Sequence, residues 1–201
     1  MKKAAIITGI VALFYLALFF FFDKAIDIWV YDKWSHTWIF QLGTYISYLA
    51  KGEFFRIALA FCFLIIFIFD HKVKSQWTRH LLYICVSVAI AIVIGEGLKY
   101  LLGRYRPIML FKNNLYGMHF FSSKWALNST PSGHTLRAFS LFTALSLLYK
   151  RFAVVFISIA VLIGASRVVV TAHYASDVLF GAFLGTFTAF WTYKYLFVKN
   201  I

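Results

Sequence analysis

Long uninterrupted apolar runs recur from near the first residue of this chain to near the last, and they decide what it can fold into. About 20 consecutive apolar residues cross the hydrocarbon core of a bilayer as a helix. Of the 201 residues 62% are hydrophobic and 13% are charged, giving a mean hydropathy of +0.80. A soluble domain carries roughly 25% charged residues, so the chain reads as an integral membrane protein. Its 24 Phe and 12 Tyr suit lipid-facing helices and interfacial belts.

Counting runs of the required length predicts six transmembrane helices, at Ala4 to Phe22, Phe54 to Phe69, Leu81 to Leu102, Gly133 to Tyr149, Phe152 to Val170 and Val178 to Phe197. Residues 23–53 mix Asp23, Asp27 and Asp32 with Trp29, Trp34 and Trp38, a composition that predicts an interfacial helical segment between the first and second spans. No linker, internal repeat or low-complexity stretch divides the chain. The expectation is one all-α domain over residues 1–201, an integral membrane bundle. Lys2 and Lys3 precede an apolar run with no small-residue cleavage pattern after Phe22, so that run reads as an uncleaved first span. Cys62 and Cys85 both fall inside apolar runs and read as buried free thiols rather than a disulfide framework.

The formal charge is +13. Its basic residues are scattered between apolar spans and no soluble basic domain carries them, which argues against nucleic acid and for anionic lipid surfaces and phosphate-bearing substrates. Lys2 and Lys3 before the first span, with Asp23 and Asp27 after it, favour a cytoplasmic N-terminus. The total count of Lys and Arg does not favour that orientation, because eleven of the 20 then lie outside.

With alternate crossings, the end of the third helix, the start of the fourth, the end of the fifth and the start of the sixth share one face. Lys99, Arg104, Arg106 and Pro107 sit at the first of these, Pro131-Ser132-Gly133-His134 at the second, and Arg167, His173 and Asp177 at the last two. Ionisable groups at membrane depth are costly, and independent snorkelling charges would be spread over both ends of the spans. Taken singly, Lys99 and Arg104 also read as snorkelling residues, and Pro131-Ser132-Gly133 as a turn and helix start. Their joint, one-sided occurrence points to a site.

Such a set supports phosphoryl transfer. Lys99, Arg106 and Arg167 supply positive charge for phosphoryl oxygens, the arginines as planar forks. Amides around Ser132 and Gly133 at a helix N-terminus make an anion seat. If the segment after His173 is helical, the four-residue step places Asp177 on the same face. Two histidines, one beside a carboxylate, can divide the duties of nucleophile and acid.

Lys99, six residues, Arg106-Pro107; Pro131-Ser132-Gly133-His134; and Ser166-Arg167, five residues, His173, three residues, Asp177 together resemble the three-part signature of the type 2 phosphatidic acid phosphatase superfamily, across residues 99–177. That resemblance implies a metal-independent lipid phosphatase of the bacterial membrane branch, with no cofactor and no obligate protein partner. By the family's roles His173 attacks phosphorus and forms a phosphohistidine, Asp177 orients it, and His134 protonates the leaving oxygen and then activates water. Lys99, Arg106, Arg167, Ser132 and Gly133 hold the phosphoryl oxygens. The implied substrate is a membrane lipid phosphate such as undecaprenyl diphosphate, phosphatidylglycerol phosphate, phosphatidic acid or lipid A, met at the periplasmic or outer face of a bacterial inner membrane. Transfer to an acceptor other than water, and a non-catalytic lipid-phosphate binder or transporter, are the competing readings.

Glu96, three residues before Lys99 on the same helical face, is a candidate second partner of Lys99 or a structural polar contact. Arg104 is a candidate contact to a second phosphate or head group, a candidate support for the catalytic residues from behind them, as Glu96 is, or a snorkelling charge. His119 is expected at the surface. The loop from Gly103 to Ser132, aromatic and basic by turns, is expected at the lipid boundary as a lid or as interfacial packing.

Overall fold

The computed structural model describes residues 2–197 and is all-helical, with no strand among the described residues. Helix α1 (Lys2–Ala17) passes through a π-helical turn at Leu18–Phe22 into α2 (Asp23–Trp34). Then come α3 (Trp38–Tyr48), α4 (Gly52–Asp70), α5 (Gln76–Leu102), the short α6 (Pro107–Asn113), α7 (Gly133–Leu148), α8 (Ala153–Val169) and α9 (Ala175–Thr192), which ends in a second π-helical turn at Tyr193–Phe197. Four helical stretches are long and apolar enough to cross a membrane: Ala4–Trp34, Trp38–Asp70, Gln76–Leu102 and Lys150–Val169.

The residues expected as an interfacial segment are helical, and Asp23–Trp34 extends the first helix directly, because the backbone at Ala17 and Asp23 stays right-handed helical. Trp29 and Tyr31 on this helix are exposed, but Asp23 and Asp27 are buried.

Helix α7 lies at the centre, packed on α5, α8 and α9. Many residues of α7 and α9 face protein: Thr135, Ser140, Thr143, Ala144, Thr188 and Ala189 are all buried. Without a hydrophobic drive between helices in lipid, packing comes from close backbone approach and hydrogen bonds. Gly181 and Gly185, four apart on α9, supply the approach. A Cβ at Gly185 would stand 2.4 Å from the Leu136 carbonyl oxygen, and one at Gly181 2.8 Å from that of Ser132. Ser87 and Ser140 hydrogen bond at 2.9 Å across α5 and α7. The apolar core beside this seam is Ala50, Phe55, Val88, Ala138, Ala160 and Ile163.

The segment between α5 and α7 folds back on itself. His119 donates its amide to the Gly103 carbonyl (2.8 Å), Arg106 to Ala126 (2.9 Å) and Ser129 to Arg104 (3.1 Å). Phe120, Phe121 and Trp125 are exposed along it. Cys62 and Cys85 are free thiols.

Candidate active site

The C-terminal ends of α5 and α8 and the N-terminal ends of α7 and α9 meet at one end of the bundle. Ser132, in extended conformation, is the N-cap of α7, yet its side chain caps no amide of the helix and instead accepts from Thr135 Oγ1 at 3.0 Å. The first amides of α7 are therefore not capped by Ser132, and with the positive end of the helix dipole behind them they suit an anion. A Cβ added at Gly133 would stand 3.0 Å from Lys99 Nζ, so glycine is what lets the lysine close over this seat. Glu96 holds Lys99 from one turn earlier on α5, at 2.6 Å, with the lysine largely buried and the glutamate exposed.

Arg106 donates Nε to the Trp125 carbonyl (3.0 Å) and Nη2 to that of Asn128 (3.3 Å), and its guanidinium lies 4.4 Å from the centre of the Trp125 ring. Arg167 reaches in from the last turn of α8, its Nε buried without a protein partner. His134 stands within electrostatic reach of His173, Arg167, Arg137 and Arg106.

His173 sits in the turn between α8 and α9, 2% exposed. That turn is tied to Arg167, whose carbonyl accepts from the amides of Ala172 (3.0 Å) and His173 (3.3 Å), and it forces Thr171 to φ +46°. A left-handed backbone costs a residue with a Cβ about 1–2 kcal/mol, a strain stored beside the imidazole. His173 Nδ1 lies 2.8 Å from the Ser129 carbonyl. A carbonyl only accepts, so Nδ1 carries the proton and Nε2 is left with a free lone pair. Burial pushes the imidazole down to about 3, and the field of Arg106 adds to this while Asp177 opposes it; the ring is neutral at pH 7.

Asp177 does not hold His173 directly. Its Oδ2 is 3.8 Å from Nδ1, beyond hydrogen-bond range. The helical-face argument does not apply, because α9 begins only at Ala175 and His173 precedes it. Instead Asp177, in the first turn of α9, accepts from the Tyr174 amide (3.0 Å), from Ser129 Oγ (2.6 Å) and from Arg104. The carboxylate thus fixes Ser129, and the Ser129 carbonyl fixes the histidine.

Arg104 lies in the interior, beside the first turn of α9. It neither snorkels nor reaches a head group but is 0% exposed. Its Nη1 donates to Asp177 and to Ser176 Oγ (2.6 Å), and its Nη2 to Asp23 Oδ2 (2.7 Å) and the Tyr116 hydroxyl (3.0 Å). Phe19 and Tyr174 stack over its guanidinium, 4.6 and 4.4 Å from their ring centres. Asp23 also accepts from the amide and hydroxyl of Ser176. The third helical cluster is thereby locked to α2.

Sequence reasoning did not single out Arg137, Asp23 as a buried partner, or Ser129. Arg137, three residues after His134 inside an apolar helix, was legible as an intramembrane charge; Asp23 and Asp27, one helical turn apart beside an apolar run, carried a weaker signal. Ser129 acts through its backbone and leaves no signal in composition.

Residues 80–201 match the PAP2 superfamily. They contain all three clusters, and the chain belongs to that superfamily. The chain is 37% identical over 107 residues to the lipid A 1-phosphatase of Rhizobium etli, which covers 53% of this chain and 46% of that protein. It is 27% identical over 156 residues to the bacitracin transport permease protein BcrC of Bacillus licheniformis, covering 76% of this chain and 72% of that one. The alignments to the two Rhizobium lipid A 1-phosphatases thus span about half the length of those relatives. Among solved structures, LpxE of Aquifex aeolicus aligns with a TM-score of 0.59 over 88% of this chain and 97% of that one. A PAP2-type phosphatidylglycerolphosphate phosphatase of Bacillus subtilis aligns at 0.57 over 95% of each. Both are 23% identical in sequence, and the likeness is one of fold.

Proposed function

We propose that this protein is an integral membrane lipid phosphatase that removes phosphate from a bacterial envelope lipid through a phosphohistidine on His173. The observation that carries this reading is the fixed tautomer of His173: Nδ1–H is committed to the Ser129 carbonyl, which leaves the Nε2 lone pair free on a ring that lies in the field of Arg106 and Arg167. In the first step Nε2 attacks phosphorus, the N–P bond forms as the P–O bond to the lipid breaks, and His134 gives its proton to the departing oxygen. In the second, His134 takes a proton from water, whose oxygen displaces Nε2 and releases phosphate. Lys99, Arg106, Arg167, the Ser132 hydroxyl and the Gly133 amide hold the equatorial oxygens as charge builds on them, the Ser132 amide being committed to the Asp177 carbonyl at 3.0 Å. The buried Asp23, Arg104 and Asp177 together carry net negative charge behind His173, which stabilises the positive charge its ring gains on attack.

A single membrane domain over residues 1–201 with six crossings accommodates these elements. Residues up to Phe22 make the first crossing, and α4, α5, α7, α8 and α9 the rest, with the N-terminus cytoplasmic and the site at the outer face of the inner membrane. Asp23 meets Ser176 at the start of α9 and Ser47 of α3 meets Ser166 in the last turn of α8, so α2 and α3 pack at the site end of the bundle. That supports an interfacial role for α2 and α3.

The names of the relatives make a lipid A 1-phosphate the first substrate to test, ahead of phosphatidylglycerol phosphate, phosphatidic acid and undecaprenyl diphosphate. Phosphate release by detergent-purified protein over this panel, with and without added alcohol acceptors, tests the reading. Turnover of at least one lipid by the wild type and its loss in His173→Gln is the expected result; equal turnover in both overturns the assignment.

A further inference from the structure

Arg104 and Arg137 are both buried arginines, and the contrast between them is informative. Arg104 sits between two carboxylates. Arg137, 7% exposed, makes no ion pair among the described residues. Its Nε (3.3 Å) and Nη2 (3.0 Å) both donate to one neutral acceptor, the Ala50 carbonyl at the turn between α3 and α4. The Phe55 ring lies 5.8 Å from its guanidinium carbon. A buried guanidinium whose contacts are a carbonyl and a ring has no anion against it, an arrangement that costs free energy unless an anion completes it.

The free side of the fork shows where that anion sits. Nη1 donates to nothing among the described residues, and a Cβ at Gly133 would stand 3.2 Å from it and 3.0 Å from Lys99 Nζ. The two cations therefore flank the same point, directly over the first residue of α7, whose amide is free to bind an anion. Lys99 is in direct contact with Glu96, whereas Arg137 feels that carboxylate only at longer range.

We propose that Arg137 is a further phosphate-binding residue, its Nη1 closing on a phosphoryl oxygen seated at the Gly133 amide while Ala50 holds the other side of the fork. This rests on the lipid phosphatase reading and extends it to a residue outside the three-part signature. It also couples the site to α4, since the anchor for Arg137 lies just before that helix begins at Gly52. A lysine at 137 would keep the charge but lose the two-pronged grip that aims it.

Orthovanadate, which mimics pentacoordinate phosphorus, is the probe. Full-length wild type, Arg137→Met and Arg137→Lys are titrated with vanadate in detergent, reading both thermal stabilisation and inhibition of phosphate release. The expected result is at least a tenfold loss of vanadate affinity in Arg137→Met, with an intermediate loss in Arg137→Lys. A residue that only braces the turn at Ala50 would lower the melting temperature and leave vanadate affinity at the wild-type value; that outcome in either variant overturns the proposal. Absence of any vanadate response in the wild type would overturn the phosphatase reading and this one together, whereas a normal wild-type response with unchanged variants sinks this one alone.

Discussion

At the scale of single residues, the proposed chemistry turns on a histidine kept neutral by burial and kept in one tautomer by a backbone carbonyl. The sign of its pH linkage follows. Above an ordinary value near 6.5 the ring is neutral in both folded and unfolded chains and contributes nothing. Below it the unfolded chain takes up a proton that the folded chain refuses until about pH 3, so stability falls as the pH falls. Between pH 7 and pH 5 this loss amounts to about 2 kcal/mol. Thermal unfolding of wild type and His173→Gln across that range checks it: the wild type should lose ground to the variant as acid is added. A difference independent of pH would contradict a buried neutral imidazole.

At the scale of elements, the first helix acts on the site through α2. Asp23 reaches from the start of α2 to Arg104 in the loop after α5 and to Ser176 in α9, and Arg104 in turn holds Asp177. Removing one partner of a buried ion pair leaves an uncompensated charge and costs about 3–5 kcal/mol. Asp23→Ala is expected to lower the melting temperature accordingly, and to lower kcat with little change in KM, because the phosphate-holding residues lie on other elements. Asp23→Glu should recover part of both. A variant that loses stability but retains full kcat would confine α2 to a structural role.

The same elements explain what the sequence could and could not disclose. Apolar run length placed α4, α5, α7, α8 and α9 to within about five residues at each end. The stretch after Phe22 is helical, as its composition predicts, but the burial of Asp23 and Asp27 was not legible in it. Which charges gather at one end followed from counting crossings. What each does there did not: Arg104 and Arg106, two residues apart, differ in role because one points into the protein and the other lies along the Trp125 ring. The link from Asp177 through Ser129 to His173 runs partly through backbone, where residue identity carries no information.

At the scale of the whole molecule, the bundle is a frame that brings the ends of four helices to one depth and seals one side of their meeting point. The Gly181 and Gly185 seam draws α9 onto α7, and the Arg104 network ties both to the first helix. The central claim for this frame is that it exists to present His173 as a nucleophile, and trapping the covalent intermediate tests that claim most directly. Purified protein is quenched within milliseconds of mixing with a phosphate-labelled lipid substrate, and the label is located by peptide mapping. The account predicts an acid-labile, alkali-stable label on the peptide containing His173, absent from His173→Gln. Steady turnover with no label, or label on any other residue, would contradict it.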